Sequence, residues 1–225
     1  MKVLAIGAHP DDIELGCGGT LLAHRRRGDE VSLLVMSTGE RGPRDSLPRT
    51  IEQERAADVL GAELHWGGFE DCAVPPGRET IDVIENVLLW AGADVVYSHT
   101  PNDSHQDHRA VATATLAAGR RIPRICLYEA PTTTEFSPAV YVDVDGLVED
   151  KLELLRAHES QVLKNGLVDL EAIQAMARCR GFQARIRNAE AFEIGRFVWD
   201  LNAAPLEGVL SDATMHSEPS QVASR

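Results

Sequence analysis

A doubly wound α/β fold with a mostly parallel sheet is predicted for this 225-residue chain by three observations. Short β-rich runs alternate with segments of helical spacing through residue 128, glycines close two of the helical segments, and the rhythm changes after Tyr128. Such alternation is the pattern of a parallel sheet covered by helices on both faces, a Rossmann-like arrangement.

Taken in order, strands are expected over residues 2–8, 31–37, 63–66, 94–98 and 125–128. Each is a short β-rich run bounded by loop residues. Helices are expected over 15–27, 48–60, 79–91 and 106–118, with Gly61 and Gly92 as C-caps of the second and third. Glycine takes the left-handed terminating conformation without strain. Arg25-Arg26-Arg27 falls in the last turn of the first helix, where cations complement the helix dipole, and Gly28 closes it. Beyond Tyr128, a strand over 139–144, helices over 147–163 and 168–180, and an extended segment over 189–198 form a C-terminal α+β extension that covers or extends the sheet. Residues 1–200 then make one domain, and 201–225, polar and aperiodic, a flexible tail.

Composition narrows the function. Hydrophobic residues make up 44% and charged residues 25%, which excludes a disordered or fibrous class. No apolar run approaches a membrane span, and residues 3–7 are too short and wrongly flanked for a signal peptide, so a cytoplasmic location is expected. Cys17, Cys72, Cys126 and Cys179 lie far apart without a CxxC, and read as reduced, packed thiols. A net charge of −13 disfavours nucleic acid as a partner. The expected ligand is therefore small or sugar-like, with neither nucleic acid nor membrane involved.

In a doubly wound sheet the ligand sits beyond the carboxyl ends of the strands, where strand order reverses, and the first and fourth strands flank that point. Ala8-His9-Pro10-Asp11-Asp12 follows the first, and His105-Gln106-Asp107-His108 the fourth. A catalytic zinc site takes three protein ligands and keeps a position for water, a set that His9, Asp12 and His108 supply. Asp11 would take a proton from the metal-bound water, whose pKa falls to about 7 on zinc. His105, protonated, would stabilise an oxyanion and protonate a leaving nitrogen, and Asp107 would orient His105 or hold its charge. That inventory is complete for amide hydrolysis. The plain alternative makes Asp11 and Asp12 helix-capping acids, worth about 1 kcal/mol; two such clusters after neighbouring strands favour the metal. Gly16-Cys17-Gly18-Gly19 fails as a dinucleotide fingerprint, because Pro10, Asp11 and Asp12 fill the turn and Leu21 occupies the third glycine position. Its glycines are expected to let the helix pack closely on the sheet or to admit substrate.

The two motifs resemble those of the LmbE-like, or PIG-L, family of zinc-dependent N-deacetylases, which remove acetyl from N-acetylglucosamine in glycolipids, thiol cofactors and antibiotics. The resemblance implies His9, Asp12 and His108 as zinc ligands, Asp11 as general base and His105 as acid or oxyanion partner, in agreement with the chemistry above. It extends over roughly residues 1–197. The run Ser37-Thr38-Gly39-Glu40-Arg41-Gly42 is similar to a loop of the family, and Arg49 aligns with an arginine that binds sugar hydroxyls. Gly68-Phe69-Glu70-Asp71 resembles another loop, His158-Glu159-Ser160-Gln161 an H-x-S-Q element, and Ala189-Glu190-Ala191-Phe192 a closing A-E-x-F. Arg49, Glu40 and Asp71 are thus candidate substrate contacts, with surface-ion or turn roles as the alternatives, while His158 reads as a helix-face residue packed near the site. Asp103 stands where some relatives carry a tyrosine, and is expected to bind an amine or a sugar hydroxyl. Glu14, one position later than the acid of some relatives, is expected behind the ligands. His24, His65, His99 and His216 match nothing in the family and read as structural or solvated.

The resulting expectation is a hydrolase that removes acetyl from an N-acetylated amino sugar, an N-acetylglucosamine conjugate, by attack of zinc-bound water on the amide carbonyl. Ferrous iron is the alternative metal, and a homo-oligomer is admitted. Rival readings are an amide hydrolase on a non-sugar or thiol conjugate, a non-haem iron oxygenase, and a non-catalytic sugar- or nucleotide-binding module.

Overall fold

The computed structural model describes residues 1–42, 48–164 and 168–199, and the expected tail over 201–225 lies outside the described residues. Along the chain run β1 (Lys2–Gly7), α1 (Asp12–Arg26), β2 (Glu30–Ser37), α2 (Arg49–Leu60), β3 (Glu63–Phe69), α3 (Arg78–Ala91), β4 (Val95–His99), α4 (Gln106–Ala118) and β5 (Arg124–Tyr128). Then come β6 (Val140–Asp143), α5 (Val148–Arg156), a π-helical turn (Ser160–Lys164), α6 (Leu170–Ala184) and β7 (Ala189–Phe197).

The strands form one sheet in the order β3-β2-β1-β4-β5-β7-β6. β1 to β5 are mutually parallel where they pair, and β7 and β6 add antiparallel. Alternate residues of β1 serve opposite faces, as the two-residue strand period requires. Val3 and Ala5 join a core with Ile13, Leu21 and Ala56 of α1 and α2, and Leu4 and Ile6 join one with Ile84, Leu88 and Val111 of α3 and α4. The apolar run at residues 3–6 therefore belongs to a strand covered on both sides. Strand order reverses between β1 and β4, which pair through Val3 and Val95, Leu4 and Val96, and Ala5 and Tyr97. Gly61 and Gly92 cap α2 and α3 with φ of 66° and 60°, the left-handed conformation expected of them.

Two helices depart from expectation. α1 begins at Asp12, three residues early, and kinks at Cys17 (φ −144°). A kink frees backbone donors inside the helix, and Glu190 of β7 takes them: its carboxylate accepts the N–H groups of Gly19 (2.9 Å) and Thr20 (2.7 Å). Lys151 of α5 balances that buried charge at 2.6 Å and donates to the Leu15 carbonyl at 2.8 Å. The A-E-x-F element is thus an internal cap. The single helix expected over 147–163 ends instead at Arg156 and resumes as the π-helical turn. Ser160 competes for that backbone, donating its N–H and hydroxyl to Glu52 at 2.8 and 2.6 Å.

Gly16 explains part of the glycine run, since a Cβ there would lie 2.1 Å from the Tyr128 ring. Close helix–sheet packing is the reason for that glycine. Of the four thiols, Cys17 and Cys126 are buried, whereas Cys72 and Cys179 are exposed and not packed as expected. Among the described residues no helix is long and apolar enough to cross a membrane.

Candidate metal and catalytic site

Because β1 and β4 are neighbours, the segments that follow them emerge side by side. Gly7 ends β1 where a Cβ would meet Ile13 at 3.0 Å and Asp12 at 3.1 Å, so the chain turns directly into α1. Asp12 opens the helix and accepts the His9 N–H at 2.7 Å. Its carboxylate lies among three imidazoles: His9 Nδ1 at 3.3 Å, His108 Nε2 at 3.4 Å and His99 Nε2 at 3.2 Å.

The outer nitrogens of two of those rings are held by other acids. His9 Nε2 lies 3.1 Å from Asp107 Oδ2 and 3.3 Å from Asp71 Oδ1. His108 Nδ1 lies 3.1 Å from Asp103 Oδ2. A carboxylate on one ring nitrogen fixes the proton there and leaves the other nitrogen as a lone-pair donor. Both inner nitrogens, His9 Nδ1 and His108 Nε2, face Asp12 and become lone-pair donors once the imidazolium proton is displaced. This donor set of two imidazoles and a carboxylate suits zinc or ferrous iron. Among the described residues, three compact groups have their ligand atoms within 4.8 Å of one another: His9, His105 and His108; Asp12, His99 and His108; and His9, Asp71 and Asp107. The expected triad is not one of them as it stands. Its members are joined through the two oxygens of Asp12, and a shared ion would have to draw the two imidazoles together.

The electrostatics follow from burial and these contacts. Burial opposes a charged His9, but Asp107, Asp12 and Asp71 outweigh it and push the pKa up to about 12. His108 is raised to about 9 against burial by Asp12 and Asp103. Asp12, despite burial, is held well below the usual carboxylate range by His108, His99 and His9. His99 is lowered to about 4 by burial and by the charge of His108, on whose ring it stacks at 3.9 Å.

Asp11 stands apart. Its backbone is left-handed (φ 90°), rare for a non-glycine residue. Two residues one turn apart on α2 hold it. Arg49 donates to the Pro10 carbonyl and lies 3.3 Å from Asp11 Oδ1, while Gln53 Oε1 accepts the Asp11 N–H at 3.1 Å. Burial raises the Asp11 carboxyl to about 6 against the pull of Arg49. His105, half-buried, is lowered by burial and by the charges of His9 and His108. Its Nδ1 accepts the Asp107 N–H at 3.3 Å, which leaves Nε2 as the N–H donor of the neutral ring. His105 is thus neutral rather than protonated in this state.

Other expected residues are placed differently. Asp107 does not orient His105 with its carboxylate, which faces His9 and accepts the Val74 N–H at 3.3 Å. Asp103 is turned inward from the ligand space, accepting the His105 N–H at 2.8 Å and holding His108. Glu40 accepts the Asp71 N–H at 2.7 Å and the Thr38 hydroxyl at 2.8 Å, so it shapes the loop that carries Asp71. Asp71 and Arg49 do line a cleft of about 540 Å³, together with His9, Asp11, Asp12, His105 and His108. Arg41, Cys72, Thr132 and Gln161 also line it. Glu14 lies behind Asp11, bonded to Gln53 Nε2 at 2.6 Å. His99 and Gln53 went unrecognised in the sequence. The last residue of β4 had to meet the loop after β1, and Gln53 follows Arg49 by one helical turn, so both carried a positional signal.

Residues 4–119 match the family model described as PIG-L: GlcNAc-PI de-N-acetylase. The uncharacterized deacetylase YaiS of Escherichia coli (strain K12) is 36% identical over 167 residues, 70% of this chain and 90% of that protein. Diacetylchitobiose deacetylase of Thermococcus kodakarensis is 30% identical over 186 residues, covering 71% of this chain and 70% of the relative. The structure of N,N'-diacetylchitobiose deacetylase from Pyrococcus horikoshii superposes with a TM-score of 0.75 at 27% identity, covering 85% of this chain and 82% of that one. With both histidine and carboxylate motifs inside the matched residues and the same fold around them, the chain belongs to the PIG-L (LmbE-like) family.

Proposed function

We propose that this protein is a metal-dependent deacetylase that releases acetate from an N-acetylated amino sugar, an N-acetylglucosamine conjugate, with zinc as the metal. The observation that carries the reading is the paired arrangement of His9 and His108, each tied by its outer nitrogen to a carboxylate and each turning its inner nitrogen to Asp12. Relatives named as deacetylases of N-acetylated sugars support the substrate class. A cleft of about 540 Å³ is in the range of small-ligand sites.

Held by His9, Asp12 and His108, a zinc ion would supply an activated water and a Lewis acid for the acetyl carbonyl. Asp11 then takes the proton of the attacking water, with a pKa of about 6 that keeps it ionised near neutrality yet basic enough to act. His105 offers its Nε2–H to the developing oxyanion. As the carbon–nitrogen bond breaks, the proton collected by Asp11 passes to the amine, and the second proton of the water leaves on the acid, which ionises in solution to acetate. Asp107 and Asp103 hold His9 and His108, and Arg49 orients Asp11 from the cleft wall.

The test is amine release from N,N'-diacetylchitobiose by the zinc-loaded protein, with Asp11→Asn alongside. The variant is expected to lose about 10²–10⁴ in kcat. Full activity in Asp11→Asn, or turnover that survives complete metal removal, overturns the mechanism. Absence of amine release from any N-acetylglucosamine conjugate overturns the substrate class.

A further inference from the structure

Behind Asp11 runs a line of buried polar side chains that the proposed chemistry does not use. His158 is fully buried, with its Nε2 at 3.4 Å from Glu14 Oε2, a charge contact without hydrogen-bond geometry, and neither ring nitrogen has a hydrogen-bond partner. Glu14, also fully buried, accepts Gln53 Nε2 with its other oxygen at 2.6 Å. Gln53, buried as well, accepts the Asp11 N–H with Oε1 at 3.1 Å. We propose that His158, Glu14 and Gln53 are positioning residues: they form one polarised chain that holds the Asp11 backbone left-handed and so aims its carboxyl into the cleft. The inference rests on the reading of Asp11 as the base.

The direction of the chain follows from hydrogen-bond inventory. The Asp11 N–H can only donate and the Gln53 amide nitrogen can only donate, so Glu14 Oε1 accepts from that nitrogen while its Oε2 faces the His158 ring at 3.4 Å. Gln53 must therefore turn its carbonyl oxygen to Asp11, where an N–H awaits. Reversing the amide would set two acceptors together at Glu14 and two donors together at Asp11. A restraint has work to do at Asp11, because a residue with a side chain holds φ 90° only at a cost in strain. The H-x-S-Q element is thereby explained as a docked unit. Ser160 binds Glu52 with both its N–H and its hydroxyl, which fixes the segment against α2 and brings His158 against Glu14 of α1. A line of buried polar groups with one end on the base is an expensive way to fill a core, and its end point at the left-handed Asp11 gives it a task.

The decisive variant is Gln53→Leu, which keeps the bulk and removes both bonds. Its crystal structure is expected to show Asp11 out of the left-handed region. With the zinc-loaded protein and N,N'-diacetylchitobiose, kcat is expected to fall about 100-fold, as for a reacting group displaced by about 1 Å, with KM within about threefold. Asp11 unmoved, at any rate of turnover, overturns the proposal, and so does a displaced Asp11 with kcat within about threefold of wild type. If Gln53→Leu does not fold, His158→Gln and His158→Leu decide. The first keeps a polar N–H group facing Glu14 and is expected within about threefold of wild type in kcat, and the second at least about tenfold below it; equal rates in the pair overturn the proposal. A wild-type protein that releases no amine counts against the deacetylase reading alone, since the crystallographic result needs no turnover.

Discussion

Replacing Gly16 by alanine tests the packing on which the site stands. The added Cβ would lie 2.1 Å from Tyr128 Cδ2, 2.4 Å from Cγ and 2.6 Å from Cε2, so ring or helix must move by about 1 Å to reach any normal contact. Tyr128 cannot yield freely, being fully buried, with its hydroxyl donating to the Ile6 carbonyl at 2.7 Å. Overpacking of this kind costs about 1–3 kcal/mol. Loss of the buried hydroxyl bond adds about 1–3 kcal/mol if the ring swings away. The better helix propensity of alanine returns only about 0.5–1 kcal/mol. A net loss of about 1–5 kcal/mol is expected from urea unfolding at constant m. Gly18→Ala is the control from the same run: its nearest neighbour would be Leu154 Cδ2 at 3.5 Å, an ordinary contact, so that variant should be neutral or gain up to about 1 kcal/mol. The consequence reaches the site, because Tyr128 packs on His99 at 4.8 Å between centroids and His99 stacks on His108. A Gly16→Ala protein as stable as wild type, or two variants shifted equally, would refute the reasoning.

Three further outcomes are expected. Asp107→Asn and Asp103→Asn should each weaken zinc binding by about 10–100-fold, since each removes the acid that orients one imidazole; unchanged affinity in competition with a chromogenic chelator contradicts that role. With His9 raised to about 12 and His108 to about 9, both imidazoles carry protons at pH 7 in the metal-free protein, and a metal must displace them. Zinc affinity therefore rises with pH, by up to about 100-fold per unit below pH 9 and about tenfold per unit between 9 and 12, and calorimetry in buffers of different ionisation enthalpy should report about two protons released; a buffer-independent heat refutes it. Glu190→Ala should destabilise by about 3–5 kcal/mol, because it strands Lys151 in the interior and frees the N–H groups at the α1 kink. A loss below about 1 kcal/mol by urea unfolding would mean that the kink needs no cap.

Much of the fold was legible because it depends on properties that are local in sequence. Alternation of β-rich and helical segments, with Gly61 and Gly92 at positive φ, is written into residue types that few other conformations accept. The adjacency of β1 and β4 followed from the handedness and order rules of doubly wound sheets, and it is what brings His9 and His108 together. Where expectation failed, a distant partner had overridden local preference. Nothing near Leu147 to Leu163 forbids one continuous helix; Glu52, over a hundred residues earlier, captures Ser160 and redirects the backbone. Likewise the kink at Cys17 is tolerable only because Glu190 waits on β7.

In the site, residue identity was legible and residue orientation was not. Asp107 and Asp103 were both marked as important, yet their tasks came out reversed in direction: the first faces His9 instead of His105, and the second faces His108 instead of the ligand space. Helical position explains the difference. Asp107 and His108 are consecutive at the start of α4, so their side chains diverge by about 100° and cannot both face one point. The acid that serves each imidazole therefore comes from outside that imidazole's own short motif: Asp107 of α4 for His9 of the β1 loop, and Asp103 of the β4 loop for His108 of α4. A motif read as a unit hides this exchange, because its spacing says which side chains are near one another along the chain and not which share an axis. In the sequence His99 reads as structural or solvated for the complementary reason. It belongs to no motif, but as the last residue of the strand beside β1 it has nowhere to point except toward Asp12, and a histidine at that register position is constrained by the sheet as tightly as the motif histidines are by their helix.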